Sequence, residues 1–193
     1  MSRVPHLCLL IDEDTELRLY EERHAPELAR VIDDNRAHLR QWLPWLDNST
    51  TVEHSLEFIR GSLRQFANNE GFQTGIWYQG KLAGGIGYHT IEWSSHKVEI
   101  GYWLAASMQG KGLMTRATKT LVTYAFQELH LNKVEIRCAT GNMRSRAIPE
   151  RLGFTQEGVI RDAGWLYDHF IDLVVYGMLA REWLPGRLQE SPW

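Results

Sequence analysis

One stretch combines residue types that could bind an anionic group: Gln109-Gly-Lys-Gly-Leu-Met114. It follows the apolar run Val98-Glu-Ile-Gly-Tyr-Trp-Leu104 by four residues and opens the strongest helical pattern in the chain. Two glycines let the backbone turn tightly and approach a ligand closely. Unpaired N–H groups at a helix start point outward, and the helix dipole favours negative charge there. Such a loop suits a pyrophosphate. A plain glycine turn that caps the helix would use the same residues, so the hexapeptide alone leaves both readings open.

Other chemistries fail on their own terms. There is no Gly-x-Ser-x-Gly elbow. Gly110-Lys111 resembles the end of a P-loop, but Gly112 stands where Mg²⁺ needs a hydroxyl, and position 105 is Ala. Thr115 occupies the third glycine of a dinucleotide fingerprint. No pair of histidines has the His-x-x-x-His spacing with an acid between, so no metal site is expected. Cys8 and Cys138 stand 130 positions apart, neither a disulfide framework nor a zinc spacing.

The hexapeptide has the form Gln-x-x-Gly-x-x after a strand, and three further stretches accompany it in order. They are Glu99-Ile-Gly-Tyr-Trp-Leu104, Gly141-Asn-Met-Arg-Ser-Arg-Ala-Ile-Pro-Glu-Arg-Leu-Gly-Phe154 and Asp172-Leu-Val-Val-Tyr176. Together they resemble the GNAT N-acetyltransferase superfamily, in its branch that acetylates ribosomal-protein N-termini (the Rim type). The resemblance spans about Leu17 to Trp183. Met114 departs from the Gly or Ala general in the superfamily.

The resemblance implies an acetyl-CoA site made of Gln109, Gly110, Lys111, Gly112, Leu113, Met114 and Thr115, with Trp103 and Leu104 pairing main chain to the pantetheine arm. Gly101 and Tyr102 would mark a bulge where the sheet splits. Asn142 and Ser145 match the family's Asn-x-x-Ser, with the serine near the thioester sulfur. The tyrosine that many members use to protonate the thiolate is replaced by Pro149, which leaves Ser145 as the candidate acid. A glutamate that ribosomal-type enzymes place in the last hairpin corresponds to Gly164. Glu99 is then the candidate base, with Asp162, Asp168 and His169 as alternatives, each readable instead as an ordinary surface or paired residue.

Two of these roles have a basis in the residues themselves. If a helix starts near Met143, Pro149 lies inside it and has no N–H for the carbonyl of Ser145, so that turn is expected to be distorted. Ser145 could equally be a helix-start residue making local bonds. Strand alternation puts Glu99 on the face of Gly101 and Trp103, opposite Ile100 and Tyr102. It either lines the cleft there, or faces solvent or pairs with Lys97 or Arg137. Trp42 and Trp45 flank Pro44 between the first two helices. They form either a rigid apolar wall for the acceptor or a cluster packing those helices.

The elements that must position these residues follow from periodicity. Leu7–Ile11 and Leu17–Tyr20 read as strands. Leu28, Val31, Ile32 and Leu39 fall on one helical face, and a second helix runs from Thr51 to about Phe66. Phe72–Tyr78 and Leu82–Ile91 form a hairpin about Gln79-Gly80, in which Gly84, Gly85 and Gly87 suggest a bulge or a close approach. Lys97–Leu104 is a strand and Leu113–Leu131 a helix. Val134, Ile136 and Cys138 alternate with polar neighbours, which leaves Cys138 a structural role. A short helix to Leu152, strands Thr155–Arg161 and Phe170–Leu179, and a peripheral tail from Arg181 complete the chain. The class is α/β (α+β) with a mixed, mostly antiparallel sheet; the resemblance implies that it is the GNAT fold, its sheet split at the acetyl-CoA cleft and flanked by helices, as a single domain over 1–193.

Composition limits the partners. Lys+Arg 21 against Asp+Glu 24 gives a net charge of −3, so no nucleic acid is expected. No run approaches ~18 apolar residues, so no membrane span is expected. Without a secretory pattern at Met1–Asp14 a cytoplasmic location is. The acceptor expected is a protein N-terminus, possibly ribosomal by the resemblance, with a small-molecule amine or a non-catalytic acyl-CoA-binding module as alternatives. The ribosomal-type branch also suggests a homodimer. An unperturbed α-amine, with a pKa of about 7.7–8.0, is partly neutral near pH 7.5, whereas a lysine at about 10.4 is neutral only about once in a thousand. A site without an obvious strong base therefore suits the α-amine better.

Overall fold

Eight strands in the order β1-β2-β3-β4-β5-β6-β8-β7 form the sheet of the computed structural model, which describes residues 7–183. β1 (Cys8–Leu10) and β2 (Thr15–Leu19) lead to α1 (Ala25–Asp34), α2 (Arg36–Leu39) and α3 (Val52–Ala67). Then come β3 (Phe72–Tyr78), β4 (Lys81–Tyr88), β5 (Lys97–Leu104), α4 (Leu113–Gln127), β6 (Lys133–Ala139), α5 (Met143–Arg151), β7 (Thr155–Leu166) and β8 (His169–Leu179). Every pairing is antiparallel except β5 with β6.

That exception makes the cleft. β5 pairs with β6 only over Lys97–Glu99 against Lys133–Glu135. Beyond Glu99 it stays on β4, with Ile100 to Leu104 opposite Tyr88 to Gly84. β6 meanwhile continues along β8 to Ala139. The sheet therefore divides, as expected, but without a bulge at Gly101 and Tyr102, because the β4 register is unbroken there. Divergence of two strands does what the bulge was expected to do.

The two faces carry separate cores. On one, Val98, Ile100, Val134 and Ile136 pack under Leu113, Ala117, Leu121 and Val122 of α4. On the other, Trp77 and Leu82 pack under Leu28, Val31 and Ile32 of α1 and Ile59 of α3, with Trp103 alongside. Burying each such aliphatic side chain is worth roughly 1.5–3 kcal/mol.

Several boundaries differ from the periodicity. The first helix does not run through to Leu39. Asn35 interrupts it, donating from its side chain to the Val31 carbonyl at 2.8 Å and accepting the Ala106 N–H at 2.8 Å. α4 ends at Gln127, and β4 ends at Tyr88. The expected bulge near Gly84 exists as a β3–β4 register shift at Ile76/Trp77. The glycines also permit close approach: a Cβ at Gly84 would lie 2.3 Å from the Trp103 carbonyl, and one at Gly85 2.6 Å from the Trp103 indole nitrogen. β7 runs past Arg161 to Leu166, with an irregularity between Ile160 and Gly164 where Asp162 takes a φ of 50°. Trp183 is buried and donates to Thr123 Oγ1 at 3.1 Å, so the tail begins in the core rather than at the periphery. Residues 184–193 of that tail lie outside the described residues.

Candidate active site

Gly110 and Gly112 sit at φ 75° and 70°, conformations that L side chains rarely adopt. This turn delivers the chain into α4 with Gly112 as its N-cap. Gln109 ties the loop down, donating to His38 Nε2 at 2.9 Å and accepting from the Arg144 guanidinium. Leu113 and Met114 are buried, which anchors the first turn, and the leading N–H groups of that turn have no helical acceptor.

A cavity of about 1270 Å³ opens against this turn. Gln109, Gly110 and Gly112 line it from the turn, Leu113, Met114 and Thr115 from the start of α4, Trp103 and Leu104 from β5, and Asn142 and Ser145 from the cap and first turn of α5. Lys111 is not in the lining; its ammonium stands 5.7 Å from the Tyr78 ring centroid. Arg116, Arg144, Arg151 and His38 add cationic or polar groups around the rim. Arg116 is paired with Asp12 at 2.9 Å, while Arg151 donates to Thr115 Oγ1 at 2.8 Å. A glycine turn, a helix start and a basic rim fit a polyanionic ligand such as the diphosphate of coenzyme A.

A second cavity, of about 670 Å³, lies on the α1–α3 side. Trp42, Leu43, Tyr102, Trp103, Asn142 and Ser145 line both cavities and so mark where they meet. Trp45, Phe58, Ile171 and Leu173 make much of the second wall, with Glu99, His89, His54 and Arg137 as its ionisable groups. Trp42 thus stands at the junction, and Trp45 in the second cavity also packs against the α1–α3 core. The β7–β8 turn closes over this link: Tyr167 donates to the Leu43 carbonyl at 2.6 Å and stacks under Arg40.

At the junction three side chains form a cluster. Ser145 Oγ donates to Tyr102 Oη at 3.3 Å, and Tyr102 donates to the Ser145 carbonyl at 3.0 Å. Cys138 Sγ lies 3.1 Å from Ser145 Oγ. Asn142 caps α5 by accepting the Ser145 N–H at 3.1 Å. Burial pushes the Tyr102 phenol well above its ordinary value and raises the Cys138 thiol. Both groups therefore hold their protons at neutral pH, and Cys138 is poorly suited to nucleophilic attack. Tyr102 and Cys138 were not among the expected catalytic residues, and Cys138 is a cavity residue as well as a structural one.

Glu99 does both things that the sequence offered as alternatives. It lines the second cavity, and it is paired, Oε2 with Arg137 Nε at 3.2 Å and Oε1 with His89 Nδ1 at 3.4 Å. Lys97 turns away to Glu92 and Glu135. Glu135 is a buried carboxylate between Lys133 at 3.0 Å and Arg137 at 3.2 Å. Burial opposes its charge, but those bonds hold its carboxyl below the ordinary range. Asp162, Asp168 and His169 line neither cavity; Asp168 and His169 pair with each other at 2.7 Å on the surface. A side chain at Gly164 would meet Ile171 at 2.8 Å, so Ile171 fills the space that an acid there would need.

The family profile described as "Acetyltransferase (GNAT) domain" matches residues 14–155. The chain belongs to the GNAT acetyltransferases. It is similar to the putative ribosomal N-acetyltransferase YdaF of Bacillus subtilis, at 41% identity over 90% of this GNAT chain and 95% of that protein. Among solved structures it resembles RimL, the ribosomal L7/L12 alpha-N-protein acetyltransferase in complex with coenzyme A. The TM-score is 0.87 at 28% identity, covering 90% of this chain and 98% of that one. It also resembles the microcin C7 self-immunity acetyltransferase MccE in complex with acetyl-CoA and AMP, with a TM-score of 0.84 at 28% identity, covering 88% and 94%. This GNAT chain is thus an acetyltransferase that uses acetyl-CoA. Among its described residues no helix is long and apolar enough to cross a membrane, and no group of three or more His, Cys, Asp or Glu could hold a metal ion.

Proposed function

We propose that the enzyme acetylates the N-terminal α-amine of a protein, a ribosomal one by analogy with YdaF and RimL. The observation that carries this reading is the junction of two cavities at Tyr102 and Ser145. Acetyl-CoA occupies the first, its diphosphate on the Gly110–Thr115 turn and its arm along Trp103 and Leu104. The acceptor enters the second, between Trp42 and Trp45. The amine nitrogen attacks the thioester carbonyl carbon directly, a C–N bond forms, and the C–S bond breaks as the tetrahedral intermediate collapses. Ser145 delivers a proton to the thiolate and is backed by Tyr102. Glu99 serves the proton-acceptor side.

A second reading, a small-molecule amine as acceptor, is favoured by the aromatic lining of the second cavity and by the likeness to MccE, whose structure holds AMP. The same family reading makes the chain one cytoplasmic domain over 1–193 that pairs as a homodimer. Exposed Val159, Ile160, Trp165 and Phe170 on β7 and β8 supply an apolar surface for that pairing. The experiment is thiol release from acetyl-CoA against peptides with free and blocked N-termini and a panel of small amines. Turnover only with free-N-terminus peptides supports the first reading, turnover only with small amines the second, and binding without turnover a non-catalytic module.

A further inference from the structure

The imidazole of His89 occupies the place of a side chain that β5 lacks. A Cβ built on Gly101 would lie 2.4 Å from His89 Nε2 and 3.0 Å from its Cε1. Gly101 follows Glu99 by two residues on the same face. The imidazole edge therefore stands in the second cavity about 7 Å further along β5 toward Trp103 and the junction than the Glu99 backbone does. Its other nitrogen, Nδ1, faces Glu99 Oε1 at 3.4 Å. The second oxygen of Glu99 is taken by Arg137 at 3.2 Å, and Arg137 in turn reaches the buried Glu135. The chain Glu135, Arg137, Glu99, His89 thus runs from the strand pairing at the base of the cleft to an imidazole that lies over Gly101 and lines the cavity.

We propose that His89 is the proton acceptor for the incoming amine and that Glu99 is a positioning residue that fixes its ring. The proposal rests on reading the second cavity as the amine site. Both oxygens of Glu99 are engaged, whereas among the described residues nothing bonds to His89 Nε2, which lies over Gly101 in a side chain that lines the cavity. The ionisable groups that line the cavity with the ring are Glu99 and Tyr102 from β5, Arg137 and Cys138 from β6 and His54 from α3. As the C–N bond forms, Nε2 takes one proton from the nitrogen. The thiolate leaving with the C–S electron pair takes one from Ser145 Oγ, which is reprotonated from solvent while Tyr102 keeps its own proton. The His89 side chain is 54% exposed, so its imidazolium returns the proton to solvent.

The test compares His89→Ala with wild type on acetyl-CoA and a peptide with a free N-terminal serine. The expected result is a loss of at least tenfold in kcat/KM, an unchanged KM for acetyl-CoA, and recovery when free imidazole is added. Gly101→Ala keeps the imidazole but pushes it out of its seat, and should lose activity to a similar degree. Wild-type rates in His89→Ala, or a loss that imidazole does not restore, overturn the proposal. If wild type acetylates no peptide, the α-amine reading fails separately. The same variants are then compared on the hydrolysis of acetyl-CoA by water, which needs the same base. Hydrolysis that falls in His89→Ala and recovers with imidazole supports the proposal; hydrolysis unchanged in His89→Ala overturns it.

Discussion

The Tyr102 hydroxyl donates at 3.0 Å to the main-chain carbonyl of Ser145, the group that Pro149 leaves without a helical donor. In an ordinary helix the N–H four residues on would take that carbonyl. Here a phenol from β5 does so, and the Ser145 hydroxyl bonds back to the same phenol at 3.3 Å. The proline thus turns a defect of α5 into a cross-link over the cleft, and it holds Ser145 toward the junction.

Pro149→Ala should weaken that cross-link. The new N–H would compete for the Ser145 carbonyl and free Tyr102. Thermal stability is expected to stay the same or rise, because an interior proline costs a helix about 3 kcal/mol, while kcat falls several-fold. Measuring Tm and kcat on the same preparation checks this; a fall in both would mean that Pro149 serves packing alone.

Ser145→Ala should lower kcat at least tenfold with little change in the KM for acetyl-CoA, the pattern of a group acting in the transition state. Tyr102→Phe should lower kcat as well and also cost about 1–3 kcal/mol of stability, since it strips the donor from a partly buried carbonyl. Steady-state kinetics with denaturant unfolding of both variants separates the two effects. Wild-type turnover in Ser145→Ala would leave the serine as a residue of the helix start.

Gly112→Val should abolish binding of coenzyme A and leave the chain folded. Valine at a φ of 70° costs about 1–2 kcal/mol, and its Cβ would come within 2.9 Å of Arg116 Nη1. A strained or shifted turn no longer presents its N–H groups to a diphosphate. Calorimetric titration with coenzyme A measures it, and circular dichroism reports the fold. Unchanged affinity would remove the diphosphate from this turn.

Glu99→Gln should cost at least tenfold in kcat/KM with an α-amine peptide near neutral pH. The amide cannot hold the His89 ring and the Arg137 guanidinium in the same way. A surface pair would cost only about 0.5 kcal/mol or less in stability and nothing in rate. Overlapping pH–rate profiles of wild type and variant would take Glu99 out of the mechanism.

The contiguous features were readable in the sequence, and those that depend on distant residues were not. The Gln109–Met114 turn announces itself because glycine spacing and a helix start lie within six residues. Thr51 capping α3 and the Gln79-Gly80 hairpin are local for the same reason. Tyr102, Cys138 and Ser145 meet across 36 and 43 residues of sequence, through the divergence of two strands, which no local pattern encodes. His89 over Gly101 joins a loop to a strand, and only the missing Cβ hints at it. The break at Asn35 has no local signal, because one of its two interrupting bonds reaches Val31 within the helix and the other Ala106 far along the chain. Glu99 was assigned to the correct face, but alternation could not say that it would be paired on that same face.

The three-residue contact between β5 and β6 leaves both strands with a bare edge inside the molecule, from Ile100 to Leu104 on one side and from Ile136 to Ala139 on the other. Such edges on a protein's outside invite other chains to add to the sheet. Held within a cleft, they are open only to something slender and amide-bearing. What they offer is main chain, which every residue supplies alike. Exchanging side chains along Tyr102–Leu104 can reshape the walls, but only proline deletes a donor. A mutation that evades a ligand lying there must therefore act by crowding it rather than by removing its bonds.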